Sequence, residues 1–453
     1  MSALAIENAF IATVDADDAE YATGHVVIEG NRIVAVGPGV APARDDARHI
    51  DGTGCLVTPG LVNTHHHLYQ WVTRGHAADN SLFGWLTELY PVWAGIDERT
   101  VHVAASAALG WLARTGCTTS TDHHYVFPHE GGDVFAAEVE AARAVGTRFH
   151  PTRGSMDLGK SRGGLPPDEV VEDRDTVLEA TAAAIERWHD PTPDSMLQVA
   201  VAPCSPFSVT AVLLKESATL AREHGVLLHT HLAETQDEDA YCRERFGCSP
   251  LEHVEDLGWA GDDVWYAHGI WFDDAEIERI GSARTGVAHC PSSNARLGAG
   301  IARARDLRDA GARVGLGVDG AASNESASML EEVRHAVLFA RAVGGPEALA
   351  VRDALRMATF GGASILHRTA DLGSLEVGKL ADVAVWRIDT LAHAGIADPI
   401  AALVLGSQPP LELLVANGEA IVEHDRVVSV DEDALARDAA TAHSKLLAKV
   451  EAR

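Results

Sequence analysis

Positive charge is what this sequence most conspicuously lacks. Its 453 residues carry 36 Lys and Arg against 66 Asp and Glu, a formal net charge of −30. A field this negative repels phosphate backbones and anionic lipid headgroups, which argues against nucleic acid and membrane surfaces as partners and has solubility as its plain consequence. Lysine is especially scarce, at positions 160, 215, 379, 445 and 449 only. Cysteine is sparse too: Cys55, Cys117, Cys204, Cys242, Cys248 and Cys290 include no C-x-x-C pair, the pattern of reduced, buried thiols in a cytosolic chain. No apolar run approaches the ~18 residues of a spanning helix. The stretch MSALAIENAFIATVDADDAE carries acids where a secretion signal has bases, so a cytoplasmic location is expected.

Histidine, in contrast, is plentiful: the chain has 23, and position decides whether they matter. The length and an apolar content of 46% suit one large domain, or one with an appendage. Up to about Thr58 the chain reads as short strands, with Gly30-Asn31 as a turn between β-rich runs. The end has the same texture from Gly373, with Asn417-Gly418 between strands and a terminal helix from about Asp431. The economical reading is one β-sandwich assembled from residues 1–58 and 372–453. Between them, in residues 59–371, short β-type segments alternate with Ala/Leu/Glu/Arg-rich helical stretches. Eight such units can be counted, beginning with LVNTHHH and ending with VGLGVDGAASN, which predicts a (β/α)₈ TIM barrel, an α/β fold.

Ionisable residues fall at the ends of those strands: His65 to His67, Asp122 to His124, Arg153, Cys204, His229 and His231, His268, His289-Cys290 and Asp319. The C-terminal ends of barrel strands are where catalytic groups gather. On an extended strand His65 and His67 share a face and His66 opposes them; the two imidazoles, about 7 Å apart along that face, can converge on one metal. In HTHLAE a histidine with a carboxylate three residues on supplies a neutral nitrogen donor and a proton acceptor. Spacing alone leaves open whether His229 or His231 is the ligand.

These residues carry a resemblance. PGLVNTHHH, HTHLAET, AHG and GVDGAASN look like the amidohydrolase superfamily, specifically its mononuclear-zinc deaminase branch, and GSLEVGKLADVAVW resembles that superfamily's return to the small β-sandwich. The resemblance implies His65, His67, His231 and Asp319 as ligands of one Zn²⁺, with Fe²⁺ as the alternative ion. It implies Glu234 as the proton shuttle and His268 as the group hydrogen-bonding the attacking water or the substrate. It selects His231 over His229, because the family ligand lies three residues before the glutamate. Binuclear members bridge two metals through a lysine on the fourth strand; LQVAVAPC has none, so one metal is expected. The implied chemistry is hydrolytic deamination: Asp319 takes a proton from water, Glu234 protonates a ring nitrogen, and ammonia leaves.

For the substrate, NTHHHLYQ resembles the guanine and cytosine deaminase pattern, in which the residue matching Gln70 contacts the ring's amide edge. Gln70 offers a donor and an acceptor together, matching a ring N–H beside a carbonyl. Arg153 is a candidate for a carbonyl or enolate oxygen, with pairing to an acid as the even alternative. Longer strings, among them GCTTSTDHHYVFP and AHCPSSNARL, resemble bacterial 8-oxoguanine deaminases, a group close to enzymes acting on isoxanthopterin and hydroxylated s-triazines. The expected substrate is a free, roughly neutral base, most specifically 8-oxoguanine, giving uric acid. Guanine, isoxanthopterin or a hydroxyatrazine-type triazine is the alternative, and a ring-opening amidohydrolase a more distant one. Such relatives often assemble through barrel helices, which leaves a homo-oligomer open. His123, His124 and His289 read as groups around the site, Cys204 and Cys290 as packed thiols. Phe83, Trp85, Tyr90 and Trp93 form either a lid over the site or core.

Overall fold

Eight parallel strands close into a barrel in the computed structural model of the chain, which describes residues 3–44 and 46–451. In chain order they are Leu61–Asn63, Cys117–His124, Arg148–Ser155, Ala200–Pro203, Leu228–Leu232, Val264–His268, Gly286–His289 and Arg313–Leu316. The last pairs with the first through Leu316 and Asn63, so no edge is left unpaired. Helices follow the strands as the alternation predicts, and their starts are written in the sequence. Asp133, Thr210 and Ser328 each accept a backbone N–H of the helix they precede.

The strands of both chain ends join in a separate nine-stranded mixed sheet. Strand Cys55–Pro59 stands at its centre, parallel to Leu4–Ala12 on one side and antiparallel to Val383–Arg387 on the other. Alternate residues of these strands, including Ile6, Ile11, Val57, Val383 and Val385, share one apolar core. Barrel and sheet are tied by a buried ion pair between Arg148, on the third barrel strand, and Asp382, at the entry to Val383–Arg387. The terminal helix Glu432–Glu451 leaves the sheet and packs on the barrel's outer helices. There Leu446 joins the cluster of Trp93 and Val101, and Lys449 Nζ reaches Asp97 at 2.6 Å. No helix among the described residues is long and apolar enough to cross a membrane.

The barrel interior below the site is filled. Trp265, flanked by Val62, Ala200, Ala288 and Ile365, lies flat against His229 at a centroid distance of 4.3 Å. This floor leaves the C-terminal ends of the strands as the place where polar groups converge.

Candidate functional site

The triple histidine lies just past its strand. The first barrel strand ends at Asn63, and the chain then makes a second, two-residue ladder, His66–His67 against Asp319–Gly320. This ladder links the first and last strand ends and brings Asp319 beside both neighbours of His66. Asp319 Oδ1 lies 3.2 Å from His65 Nε2 and 3.2 Å from His67 Nε2. His67 Nε2 is in turn 3.1 Å from His231 Nε2. His65, His231, His268 and Asp319 each place one ligand-type atom within 4.8 Å of the others, and all four are buried. His66 stays out of the group; its Nδ1 accepts the N–H of His67 at 2.8 Å.

Outer partners decide which nitrogen of each ring carries the proton. His67 Nδ1–H donates to the His123 carbonyl at 2.7 Å, and His231 Nδ1–H to the Cys204 carbonyl at 2.7 Å. His229 Nδ1–H donates to the Trp265 carbonyl at 2.9 Å, so its Nε2 can only accept, and it does so from His65 Nδ1–H at 2.8 Å. Burial pushes the His65 and His231 imidazoles well below their ordinary range, which keeps them neutral. The Nε2 atoms of His65, His67 and His231 are thus bare lone pairs crowded against a carboxylate oxygen. Such an arrangement is repulsive by itself and becomes favourable around a cation. The buried His/His/His/Asp group of His65, His231, His268 and Asp319, with His67 Nε2 3.2 Å from Asp319 Oδ1, is positioned to chelate a single divalent metal ion. Serine hydroxyls brace the carboxylate: Ser293 Oγ at 2.5 Å and Ser323 Oγ at 3.1 Å both reach Asp319 Oδ2.

Beside the cluster, His268 Nδ1–H donates to Asn294 Oδ1 at 2.9 Å, which turns His268 Nε2 toward Glu234 Oε2, 3.6 Å away. Burial, and then the charge of Asp319, pushes the Glu234 carboxyl well above the ordinary carboxylate range, toward the protonated form. Three non-glycine residues here hold left-handed backbone: Ala233 at φ 53°, His268 at φ 72° and Asp319 at φ 59°. Strain of this kind persists where the surrounding structure over-determines a functional geometry.

The pocket in front of the cluster is small, about 30 Å³, and partly open, and is walled by Trp85, Tyr90, Tyr125, Phe207 and Leu297. Gln70 lies on its wall, fully buried; neither Oε1 nor Nε2 makes a hydrogen bond of ordinary geometry, and the Tyr69 hydroxyl is close enough to interact with it. Gly320 makes room for it, since a Cβ there would fall 1.8 Å from Gln70 Oε1. Arg153 is not on this wall. Its guanidinium is held by both oxygens of Glu172, at 2.7 and 2.9 Å, and lies over the Phe127 ring. Cys204 is on the wall, its thiol pushed up to about 12 by burial, whereas Cys290 is buried behind Gly317. The segment of Phe83, Trp85, Tyr90 and Trp93 is the helix Leu82–Trp93; Trp85 and Tyr90 face the pocket and Trp93 sits in the core against Tyr69. Among the remaining histidines, His123 holds His67 through its carbonyl, and His124 pairs with Glu138 at 2.7 Å. The carbonyl of His289 accepts the Gly317 N–H at 2.9 Å.

Comparison with known proteins agrees with this geometry. A model described as amidohydrolase family matches residues 56–419. The chain belongs to the amidohydrolase family. It is 43% identical over 432 residues to an 8-oxoguanine deaminase of Pseudomonas aeruginosa, covering 94% of this chain and 96% of the relative. It is 36% identical over 461 residues to an isoxanthopterin deaminase from an unknown prokaryotic organism, covering 96% and 94% respectively. Among solved structures, atrazine chlorohydrolase TrzN from Arthrobacter aurescens TC1 complexed with zinc superposes with a TM-score of 0.93 at 33% identity, covering 97% of this chain and 100% of that one. Within the amidohydrolase family the chain falls in the mononuclear, metal-dependent deaminase branch, a hydrolase acting on C–N bonds. The fourth barrel strand, Ala200–Pro203, offers no lysine to bridge a second metal.

Spacing does not announce the targets of several groups around this amidohydrolase centre: Ser293 and Asn294 lie in the short helix Pro291–Arg296, and Ser323 in the turn after Asp319–Gly320. A signal did exist for Glu238, since Thr235-x-x-Glu238 has the spacing of a capping box.

Proposed function

We propose that this chain hydrolyses the exocyclic C–N bond of an oxidised purine, with 8-oxoguanine and water giving uric acid and ammonia. The observation that carries the reading is Gln70: a fully buried primary amide with no hydrogen bond of ordinary geometry to either polar atom, on the wall of the pocket that also holds the cluster. A buried unpaired amide is costly, and a ligand presenting a ring N–H beside a carbonyl relieves both halves at once. 8-Oxoguanine has that edge next to its amino-bearing carbon, and the 43% identity to an 8-oxoguanine deaminase supports it.

In this reading His65, His67, His231 and Asp319 hold one zinc or iron(II) ion. The metal supplies the Lewis acidity that makes water nucleophilic near neutral pH. Asp319 would receive the proton released from the attacking water and return it to the amino group, which departs as ammonia as the C–N bond breaks. Glu234, protonated in its buried setting, gives its proton to the ring nitrogen beside the carbon under attack and so stabilises the charge that builds there. His268, its Nδ1–H committed to Asn294, keeps Nε2 facing Glu234 and the substrate. The aromatic side chains Trp85, Tyr90, Tyr125 and Phe207 offer apolar faces against which a planar ring can pack. A second reading, an amino- or alkylamino-substituted s-triazine, is favoured by the superposition on the atrazine chlorohydrolase.

An ammonia-coupled screen of 8-oxoguanine, guanine, isoxanthopterin and hydroxyatrazine, with metal content measured on the same sample, tests the proposal. The highest kcat/KM is expected for 8-oxoguanine. A better triazine turns the assignment to the second reading, and a ring-opened product without ammonia overturns deamination altogether. Glu234→Gln is expected to keep the metal and lose a factor of about 10²–10⁴ in kcat, whereas His67→Ala loses metal and turnover together.

A further inference from the structure

Glu238 is buried in the first turn of helix Gln236–Phe246, behind the loop that carries Glu234. The chain shows what a glutamate at this position ordinarily does. After Ser249 and after Asp273, Glu252 and Glu276 reach back to the backbone N–H of the capping residue itself. Thr235 caps its helix in the same way, accepting the Glu238 N–H, but the Glu238 side chain goes past Thr235. Its Oε1 accepts the N–H of Ala233 at 3.0 Å and its Oε2 the N–H of Glu234 at 2.9 Å. Ala233 is the left-handed residue of this loop. Its carbonyl is gripped from the other side by the N–H groups of Ile270 and Trp271, at 2.9 and 3.0 Å. One strained residue is thereby pinned at both ends, between metal-cluster residue His231 and Glu234.

We infer that Glu238 is a positioning residue: by fixing the Ala233-Glu234 backbone it aims the Glu234 carboxyl at the ring nitrogen, an inference that rests on the proton-transfer role proposed for Glu234. Glu238 neither lines the pocket nor belongs to the metal cluster. A carboxylate suits the task because both its oxygens accept, whereas glutamine at this position offers one acceptor and sets an N–H against the second backbone N–H. Free of the clamp, Ala233 relaxes from its left-handed conformation and the Glu234 side chain swings with it. A displacement of about 1 Å at a reacting group costs on the order of a hundredfold in rate without requiring weaker substrate binding.

The test uses the metal-loaded full chain with 8-oxoguanine as probe, comparing Glu238→Gln, Glu234→Gln and the double variant. Expected for Glu238→Gln are unchanged metal content, kcat lowered at least tenfold and KM within threefold of wild type. Hydrogen exchange at the Ala233 and Glu234 amides should be at least tenfold faster. In the Glu234→Gln background the same substitution should cost less than twofold further, because its effect passes through Glu234. Wild-type kcat with wild-type protection overturns the inference, as does a loss confined to KM or to metal content, or an equal loss in both backgrounds. Should Glu238→Gln not fold, Glu238→Asp, one methylene short, must show the same kcat-selective loss. A fully active Glu234→Gln protein would remove the proton-transfer reading instead, and with it the inference, while the exchange data would still report whether Glu238 holds the turn.

Discussion

His229 stands directly behind His65: its Nε2 accepts from His65 Nδ1–H at 2.8 Å while its own Nδ1–H is spent on the Trp265 carbonyl at 2.9 Å. This two-step relay, rather than anything in the cluster itself, determines that His65 presents a lone pair. Replacing His229 by phenylalanine keeps the stack on Trp265 but frees the tautomer of His65. Metal affinity is expected to fall by about 10–100-fold, with the fold retained. Chelator competition on the purified protein measures it; unchanged affinity would mean that the relay does not govern the site.

The same pair shows which parts of the site were legible in the sequence. Strand alternation puts His229 and His231 on one face, and both do point inward, one as relay and the other into the cluster. Period-two reasoning finds a face and stops there, because depth along the barrel axis is not in the pattern. Arg153 illustrates the opposite limit. It lies near the end of its strand, but Glu172, contributed by a loop with no periodicity, takes both of its terminal nitrogens. The barrel itself was legible because its eight units repeat, and the mixed sheet because both ends share short β-branched runs around turn dipeptides. Bracing groups such as Ser293 and Asn294 were not, since the six-residue helix Pro291–Arg296 that carries them is too short for its spacing to show what a hydroxyl or amide on it reaches.

Arg148 and Asp382 predict how barrel and sheet are held together. Both side chains are buried and paired, and Asp382 also accepts the Asn417 N–H at 2.9 Å. Arg148→Ala leaves a buried carboxylate without its partner, which costs about 3–5 kcal/mol. A lower urea midpoint is expected with kcat/KM unchanged in the folded fraction. The double replacement Arg148→Met with Asp382→Leu should recover a large part of the loss, because it removes the stranded charge. Equal destabilisation by the single and double variants would show that shape, not charge pairing, is what matters.

Acid sensitivity follows from buried histidines away from the site, of which His150 is the clearest. It packs beside Trp265, and burial followed by the charges of Arg368, His189 and His367 lowers it from 6.5 to about 3. Between those values the unfolded chain binds a proton that the folded chain does not. Stability therefore falls as pH drops from 6.5 toward 3, by about 1.4 kcal/mol per pH unit for this one group. His150→Phe should flatten the pH dependence of the urea midpoint by one proton across that window. An unchanged slope would assign the acid lability elsewhere.

Gln70 predicts a conflict between stability and activity at a single position. Its amide is fully buried and makes no hydrogen bond of ordinary geometry within the fold, the Tyr69 hydroxyl being its nearest polar neighbour, so what fills the pocket decides how well it is satisfied. Leaving such a group unpaired costs about 1–3 kcal/mol. Gln70→Leu, close to it in volume and apolar, should therefore raise the melting temperature of the ligand-free holoenzyme, an uncommon direction for a substitution in a packed interior. The same change removes the donor and acceptor proposed to read the lactam edge, and a site built to hydrogen-bond its substrate loses about 10²-fold or more when one side of that pairing is deleted. Melting measured with and without 8-oxoguanine separates the two effects: the wild type should gain more from the ligand than the variant does. A variant both less stable and fully active would show that Gln70 is satisfied by a partner within the fold, and that the substrate edge is read elsewhere.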